Sequence, residues 1–132
     1  MAGPESHGYA LNRTRQAYLA TRLEVADGHW SRLRGLIGTD SAEFQDGRGL
    51  WITPCRGVHT LWMRFPIDVL YLSRDQVVLH LETALPPWRF APIRLEATSV
   101  LELPSSTVQT TGTCVGDHIE IGRNAEREQP SV

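Results

Sequence analysis

A chain of 132 residues has room for one hydrophobic core and not for two. Its apolar share of 41% and charged share of 21% are those of a folded globular protein and exclude wholesale disorder. Basic residues number 13, all of them arginine, against 15 acidic ones; the net charge of -2 lacks the basic excess of a dedicated nucleic-acid surface, so no nucleic-acid partner is expected.

No apolar run approaches the length of a transmembrane helix, so membrane insertion is not expected. The N-terminal stretch MAGPESHGYALNRTRQAYLA lacks the charged-then-apolar pattern of a secretory signal, and a cytoplasmic location is the resulting expectation. Cys55 and Cys114 form no CxxC pair and are too few for a disulfide framework.

In chain order, residues 1–16 are polar and read as a flexible tail. From Tyr18 the chain alternates, with Leu19, Thr21, Leu23 and Val25 on one face of a strand and Arg22 and Glu24 on the other. Asp27 then suits the N-cap of a short helix carrying Trp30, Leu33 and Leu36 or Ile37, with Gly38 as its stop. GLWIT (49–53) is a short strand ended by Pro54, which cannot donate to a ladder. IDVLYL (67–72) is nearly continuous in apolar residues, as in a strand covered on both faces. A turn at 73–76 leads into VVLHLETAL (77–85), completing a hairpin. PPWRFAPIR (86–94) is a proline-broken loop whose Trp88 and Phe90 suit either an exposed binding lip or an end plug. TSVLEL (98–103) and VGDHIEI (115–121) complete the strands, and residues 123–132 form a charged, flexible tail. His80 and His118 alternate with apolar neighbours and are expected to face solvent. The fold class expected is mainly β: a compact β-sandwich or barrel-like domain over residues 17–122, with one short N-terminal helix.

The string HTLWMRFPIDVLYL, the later VLEL and the closing VGDHIEI resemble Domain of Unknown Function 192, and RLRGLIG is similar to that family's arginine, glycine and leucine turn. The matching positions are Trp62, Met63, Pro66 and Asp68, then Glu102, then Gly116–Asp117, so the resemblance spans roughly residues 22 to 121. Common members carry asparagine–threonine after the methionine, where this chain has Arg64–Phe65. Its Cys55 and His59–Thr60 mark one branch of the family. The resemblance implies a mainly-β sandwich and no activity.

The residues themselves raise three functional readings centred on segment 54–72. Asp68 lies in the most apolar strand, where a carboxylate costs several kcal/mol unless paired or hydrogen-bonded, with Arg64, His59 or backbone N–H groups as expected partners. Glu102, between Leu101 and Leu103, poses the same question unless it alternates outward to solvent. The first reading is a non-catalytic module binding a small ligand or protein through Cys55, His59, Thr60, Arg64, Asp68 and Glu102. The second is a soft-metal module: Cys55, His59 and Met63, spaced by four, offer thiolate, imidazole and thioether to Cu(I), or to zinc if Cys114 joins. The third is a cysteine-dependent hydrolase-like enzyme with Cys55 as nucleophile, His59 as base and Asp68 as orienter, although no oxyanion-loop signature accompanies them.

Overall fold

The computed structural model describes residues 8–26, 44, 47–57 and 65–123. Its strands are β1 (Gly8–Asn12), β2 (Ala17–Ala26), β3 (Arg48–Ile52), β4 (Ile67–Leu72), β5 (Val78–Leu85), β6 (Ser99–Pro104) and β7 (Ile119–Arg123). They form one sheet in the order β5-β4-β6-β3-β2-β1-β7. Neighbours are antiparallel except β2 and β3, which run parallel, as the long connection from Ala26 to Arg48 permits.

The sheet is a curled half-barrel because its two edge strands are drawn together at one end. Val77 and His118 form a bridge between them. The Val78 N–H donates to Asp117 O at 2.9 Å, Gly116 N–H to Val78 O at 2.8 Å, and Ile119 N–H to Gln76 O at 2.9 Å. Closure hides backbone groups that an open edge would leave to solvent or to another chain.

Curling gives the sheet two unlike faces. The concave interior gathers Ala10, Leu19, Leu23, Leu70, Leu72, Val78, Leu101, Leu103 and Ile119. The outer face of the central strands carries Leu50, Ile52, Ile67, Val69, Tyr71 and Val100, and is covered by Phe44, Phe65, Ala91 and Ala97 from connecting segments. β4 is therefore buried at all six positions, the outcome its continuous apolar run predicts.

Four expectations need correction. The expected N-terminal tail enters the sheet from Gly8: β1 lies between β2 and β7, and its Asn12 is satisfied by side chains, donating to Thr113 Oγ1 at 3.0 Å and Asp117 Oδ2 at 2.9 Å. The helix among the described residues is near the C-terminus, α1 (Thr107–Thr111), while the residues expected to be helical, 27–38, lie outside those described. β-Branched residues make TVQTT a poor helix former, so this single turn depends on its surroundings and on Gly112, whose left-handed backbone (φ 72°) ends it. The last strand begins at Ile119 and runs through Arg123, because residues 113–118 form the loop that carries the closure. Val25, expected with Leu19 and Leu23, is about half exposed: among the described residues β1 pairs with β2 only as far as Leu23, and Val25 stands beyond the end of that neighbour. Beyond Arg123 the expected C-terminal tail lies outside the described residues.

Candidate functional site

β4 and β6 each carry one acid into the core. Pairing sets their faces: Asp68 stands opposite Leu103, Val69 opposite Glu102. Because successive side chains alternate, Asp68 points to the concave interior and Glu102 to the outer, loop-covered face.

Asp68 is 1% exposed and fully used. The β4–β5 ladder has a register shift between Ile67 and Val69, and Ala84, with φ 48°, turns its N–H inward there. Asp68 Oδ1 accepts that N–H at 2.8 Å. Its Oδ2 accepts the Val108 N–H at 2.9 Å, one of the donors that the first turn of a helix leaves without an intrahelical partner. Ser106 makes no side-chain cap, so Asp68 does that work from another strand. The expected partners Arg64 and His59 lie outside the described residues, and backbone fills the role.

Glu102 is the opposite case. It is 3% exposed, flanked across the strands by Val69 and Leu50, and its Oε1 has no hydrogen-bond partner among the described residues. Burial pushes its carboxyl up to about 8, so the acid is largely protonated at neutral pH. Of the two alternatives the sequence leaves open for Glu102, the outward turn to solvent is not taken, because connecting segments cover the face it points to.

Around Glu102 the outer face carries further polar chemistry. Across the sheet one row runs Glu82, Val69, Glu102, Leu50, and the next runs His80, Tyr71, Val100, Ile52. His80 Nε2 lies 2.6 Å from Glu82 Oε2, its ring meets Tyr71 edge-on at 5.2 Å, and Arg94 Nη2 approaches its Nδ1 at 3.3 Å. His80 is thus partly buried rather than turned to solvent. Leu79 bulges out of register beside it, which rotates the strand's phase. Tyr71 donates its hydroxyl to Pro92 O at 2.6 Å. Burial, and secondarily the charge of Glu82, raise that phenol to about 12 against the opposing pull of Arg94.

Cys55 lies beside this face. It is half-buried, packs against the outer cluster, and its thiol donates to Gly57 O at 2.9 Å. Neither Cys55 nor Cys114 is in a disulfide.

Of the residues singled out in the sequence, Cys55 and Glu102 therefore share one face, and Asp68 lies on the other. His59, Thr60, Met63 and Arg64 lie outside the described residues. Asp68 stands on the wrong side of the sheet to orient a base for Cys55, which removes the described part of the triad geometry. Among the described residues no group of three or more His, Cys, Asp or Glu side chains could hold a metal ion. Sequence reasoning missed Tyr71, His80 and Glu82. The period-two spacing of His80 and Glu82 put them on one face, but nothing local said that the face was covered.

A third buried acid lies at the barrel's closed end. Burial pushes Asp117 up, but Asn12 Nδ2, the Cys114 N–H and Arg15 Nε, at 2.9, 2.9 and 3.0 Å, all converge on its Oδ2 and hold it below the ordinary carboxylate range.

Against known proteins, residues 10–121 match the sequence profile of the DUF192 family, described as Uncharacterized ACR. A UPF0127 protein of Pyrococcus furiosus is 38% identical over 120 residues, covering 86% of this chain and 97% of that protein. A UPF0127 protein of Thermococcus sibiricus is 27% identical over 122 residues, covering 89% of this chain and 77% of that protein. Two crystal structures share the fold, each with a TM-score of 0.73. One is a protein of unknown function from Novosphingobium aromaticivorans, 18% identical, covering 86% of this chain and 83% of that chain. The other, from Sinorhizobium meliloti, is described as a "putative transcription regulator", is 20% identical, and covers 86% of this chain and 91% of that chain. At these identities the two structures speak for the fold alone.

Proposed function

The chain belongs to the Domain of Unknown Function 192 family, and on that premise we propose that it is a non-catalytic binding module that receives its ligand on the outer face, at Glu102. The observation that carries this reading is the buried Oε1 of Glu102 without a partner, on the face that Cys55 and Phe65 join at the two described ends of segment 58–64. An acid in an apolar layer lowers stability unless something else satisfies it, and a ligand offering an N–H or O–H donor would do so. A protonated carboxyl can both donate and accept, so amides, amines and guanidines fit best. His59, Thr60 and Arg64 belong to the proposed site as residues of the same segment. Asp68 supports it only indirectly, by fixing β4 and β5 behind it.

The test is thermal denaturation of the full chain against a panel of small amines, guanidines and amides. Compounds that raise the melting temperature of the wild type should lose that effect in Glu102→Gln, and lose part of it in Cys55→Ala or His59→Ala. A panel without effect on the wild type, or compounds equally effective on Glu102→Gln, would sink the reading. So would turnover in a hydrolase and transferase screen that Cys55→Ala abolishes.

A further inference from the structure

We propose that the cleft between α1 and the start of β2 binds one small, uncharged, polyhydroxylated ring, a monosaccharide or cyclitol. It shares no residue with the ligand site at Glu102 and stands independently of it. The cleft has a volume of about 200 Å³. Its walls are Tyr18 and Leu19 from β2, Gly47 ahead of β3, and five serines and threonines between Ser105 and Thr111. Pockets for drug-sized ligands begin at roughly 300 Å³, so this one selects a single ring rather than a nucleotide.

The walls are fixed by the backbone. α1 packs on β2, and its Val108 N–H is tied to Asp68 Oδ2 at 2.9 Å. Gly47 O accepts the Thr21 and Arg22 N–H groups at 2.9 and 2.8 Å, and its φ of 88° is one that glycine adopts freely. The hydroxyls of Thr107 and Thr111 are used inside this frame, donating to Pro104 O at 2.7 Å and Thr107 O at 2.8 Å. Those of Ser105, Ser106 and Thr110 have no partner among the described residues. Ser106 is the most telling of the three. It holds the cap position of α1, where a serine ordinarily gives its oxygen to the first helical N–H groups, but Asp68 takes that role and the Ser106 side chain makes no cap bond. Its backbone is left-handed (φ 78°, ψ -6°), a conformation strained for serine and free for glycine. Neither capping nor backbone geometry calls for a serine here, and the hydroxyl is left to the cleft.

The lining chooses the occupant. Among the described residues no charged side chain lines the cleft, so an ion would lose hydration there without meeting a counter-charge. An apolar occupant would cover the three hydroxyls and leave them unmet. An extended peptide needs an open strand edge, and β2 is paired on both sides, with β1 and β3. A hydroxylated ring meets each wall. Its hydroxyls can donate to and accept from Ser105, Ser106 and Thr110, since a serine or threonine hydroxyl offers both roles. Its C–H face lies against Leu19 and the ring of Tyr18, which an edge-on contact with Tyr9 holds at 6.1 Å between centroids.

Amide-shift mapping by NMR on the full chain tests this, with methyl glucoside, methyl galactoside and myo-inositol as probes and inorganic phosphate and toluene as the charged and apolar controls. Millimolar binding of at least one hydroxylated probe is expected, with shifts at Gly47, Ser105, Ser106 and Thr110 and none at Leu50 or Val69 beside Glu102. Ser106→Gly should weaken that binding about fivefold, the loss of one hydrogen bond, without lowering the melting temperature; a purely structural serine would lower it. Thr110→Ala, at an exposed position, should weaken binding about threefold. If Ser106→Gly misfolds, Thr110→Ala alone decides. Silence of all three hydroxylated probes, an equal response to phosphate or toluene, or variants that bind as the wild type does would overturn the proposal. So would shifts confined to the outer face, since the ring would then sit at Glu102.

Discussion

Asp68 and Glu102 sit on neighbouring strands, one row apart, and are almost equally buried, yet they are opposite in kind. Asp68 faces the concave interior, where a strand irregularity and a helix start each turn a backbone N–H toward it. Glu102 faces the outer layer, where its cross-strand neighbours are Val69 and Leu50 and nothing described meets its Oε1. A satisfied buried acid is architecture: it ties β4, β5 and α1 together. An unsatisfied one lowers stability, and such groups concentrate where proteins meet ligands. Burial alone therefore says little about role; the inventory of donors around the carboxylate decides it.

Breaking Asp68 should have the largest effect. Asp68→Ala leaves the Ala84 N–H and the buried Val108 N–H without their acceptor, and a loss of about 2 to 4 kcal/mol is expected in urea denaturation. Asp68→Asn, which keeps one acceptor oxygen, should lose roughly half of that. A loss below about 1 kcal/mol for the alanine variant would erase the contrast.

Replacing Glu102 should act in the other direction. The folded carboxyl titrates at about 8 against an ordinary value of 4.5, so the folded state holds its proton more tightly than the unfolded one. Its favourable contribution is full below 4.5 and is lost as pH rises toward 8, so wild-type stability should decline across that window. Glu102→Gln should remove the slope and gain on the order of 2 to 4 kcal/mol at pH 9. Chemical denaturation at pH 5 and pH 9 for both proteins measures this, and an unchanged slope in the variant would refute the assignment.

Asp117 sharpens the comparison as a buried acid of Asp68's kind with a cation added. Its lowered pKa gives a contribution present above the ordinary carboxylate range and lost as pH falls through the folded value. Asp117→Ala should lose about 2 kcal/mol at neutral pH and flatten the acid limb of the stability curve. Because Asp117 carries the closure of β5 on β7, amide exchange at Val78 and Ile119 should rise before that of the central strands.

How far the sequence reached follows from these three acids. The six-residue apolar run of β4 announces burial on both faces, and the hairpin into β5 announces itself through its turn residues. That Asp68 needs partners is legible too, but their identity is not: Ala84 and Val108 lie 16 and 40 residues away and supply backbone, which carries no sequence signature. Glu102 between two leucines reads as outward-facing because alternation tells which face a side chain takes. Whether that face is covered depends on Phe44, Phe65, Ala91 and Ala97, none of them local. β1 escaped notice for the same reason. GYALN is weak as a strand, and its Asn12 is buried only because Thr113 and Asp117, a hundred residues on, receive its amide.

The smallest predicted effect concerns the other orphan. Trp51 Nε1 is buried without a hydrogen-bond partner among the described residues, on the strand next to Glu102 but on the concave side, where Trp51 packs against the interior cluster. An indole N–H is neutral and a donor only, so leaving it unpaired costs far less than an unmet carboxyl. Trp51→Phe removes that penalty together with some packing area, and the two changes oppose each other. The net change in stability should stay under about 1 kcal/mol, with no dependence on pH between 5 and 9. A loss of several kcal/mol would mean that the indole N–H does have a partner. The distinction between titratable and non-titratable orphans would then rest on Glu102 alone.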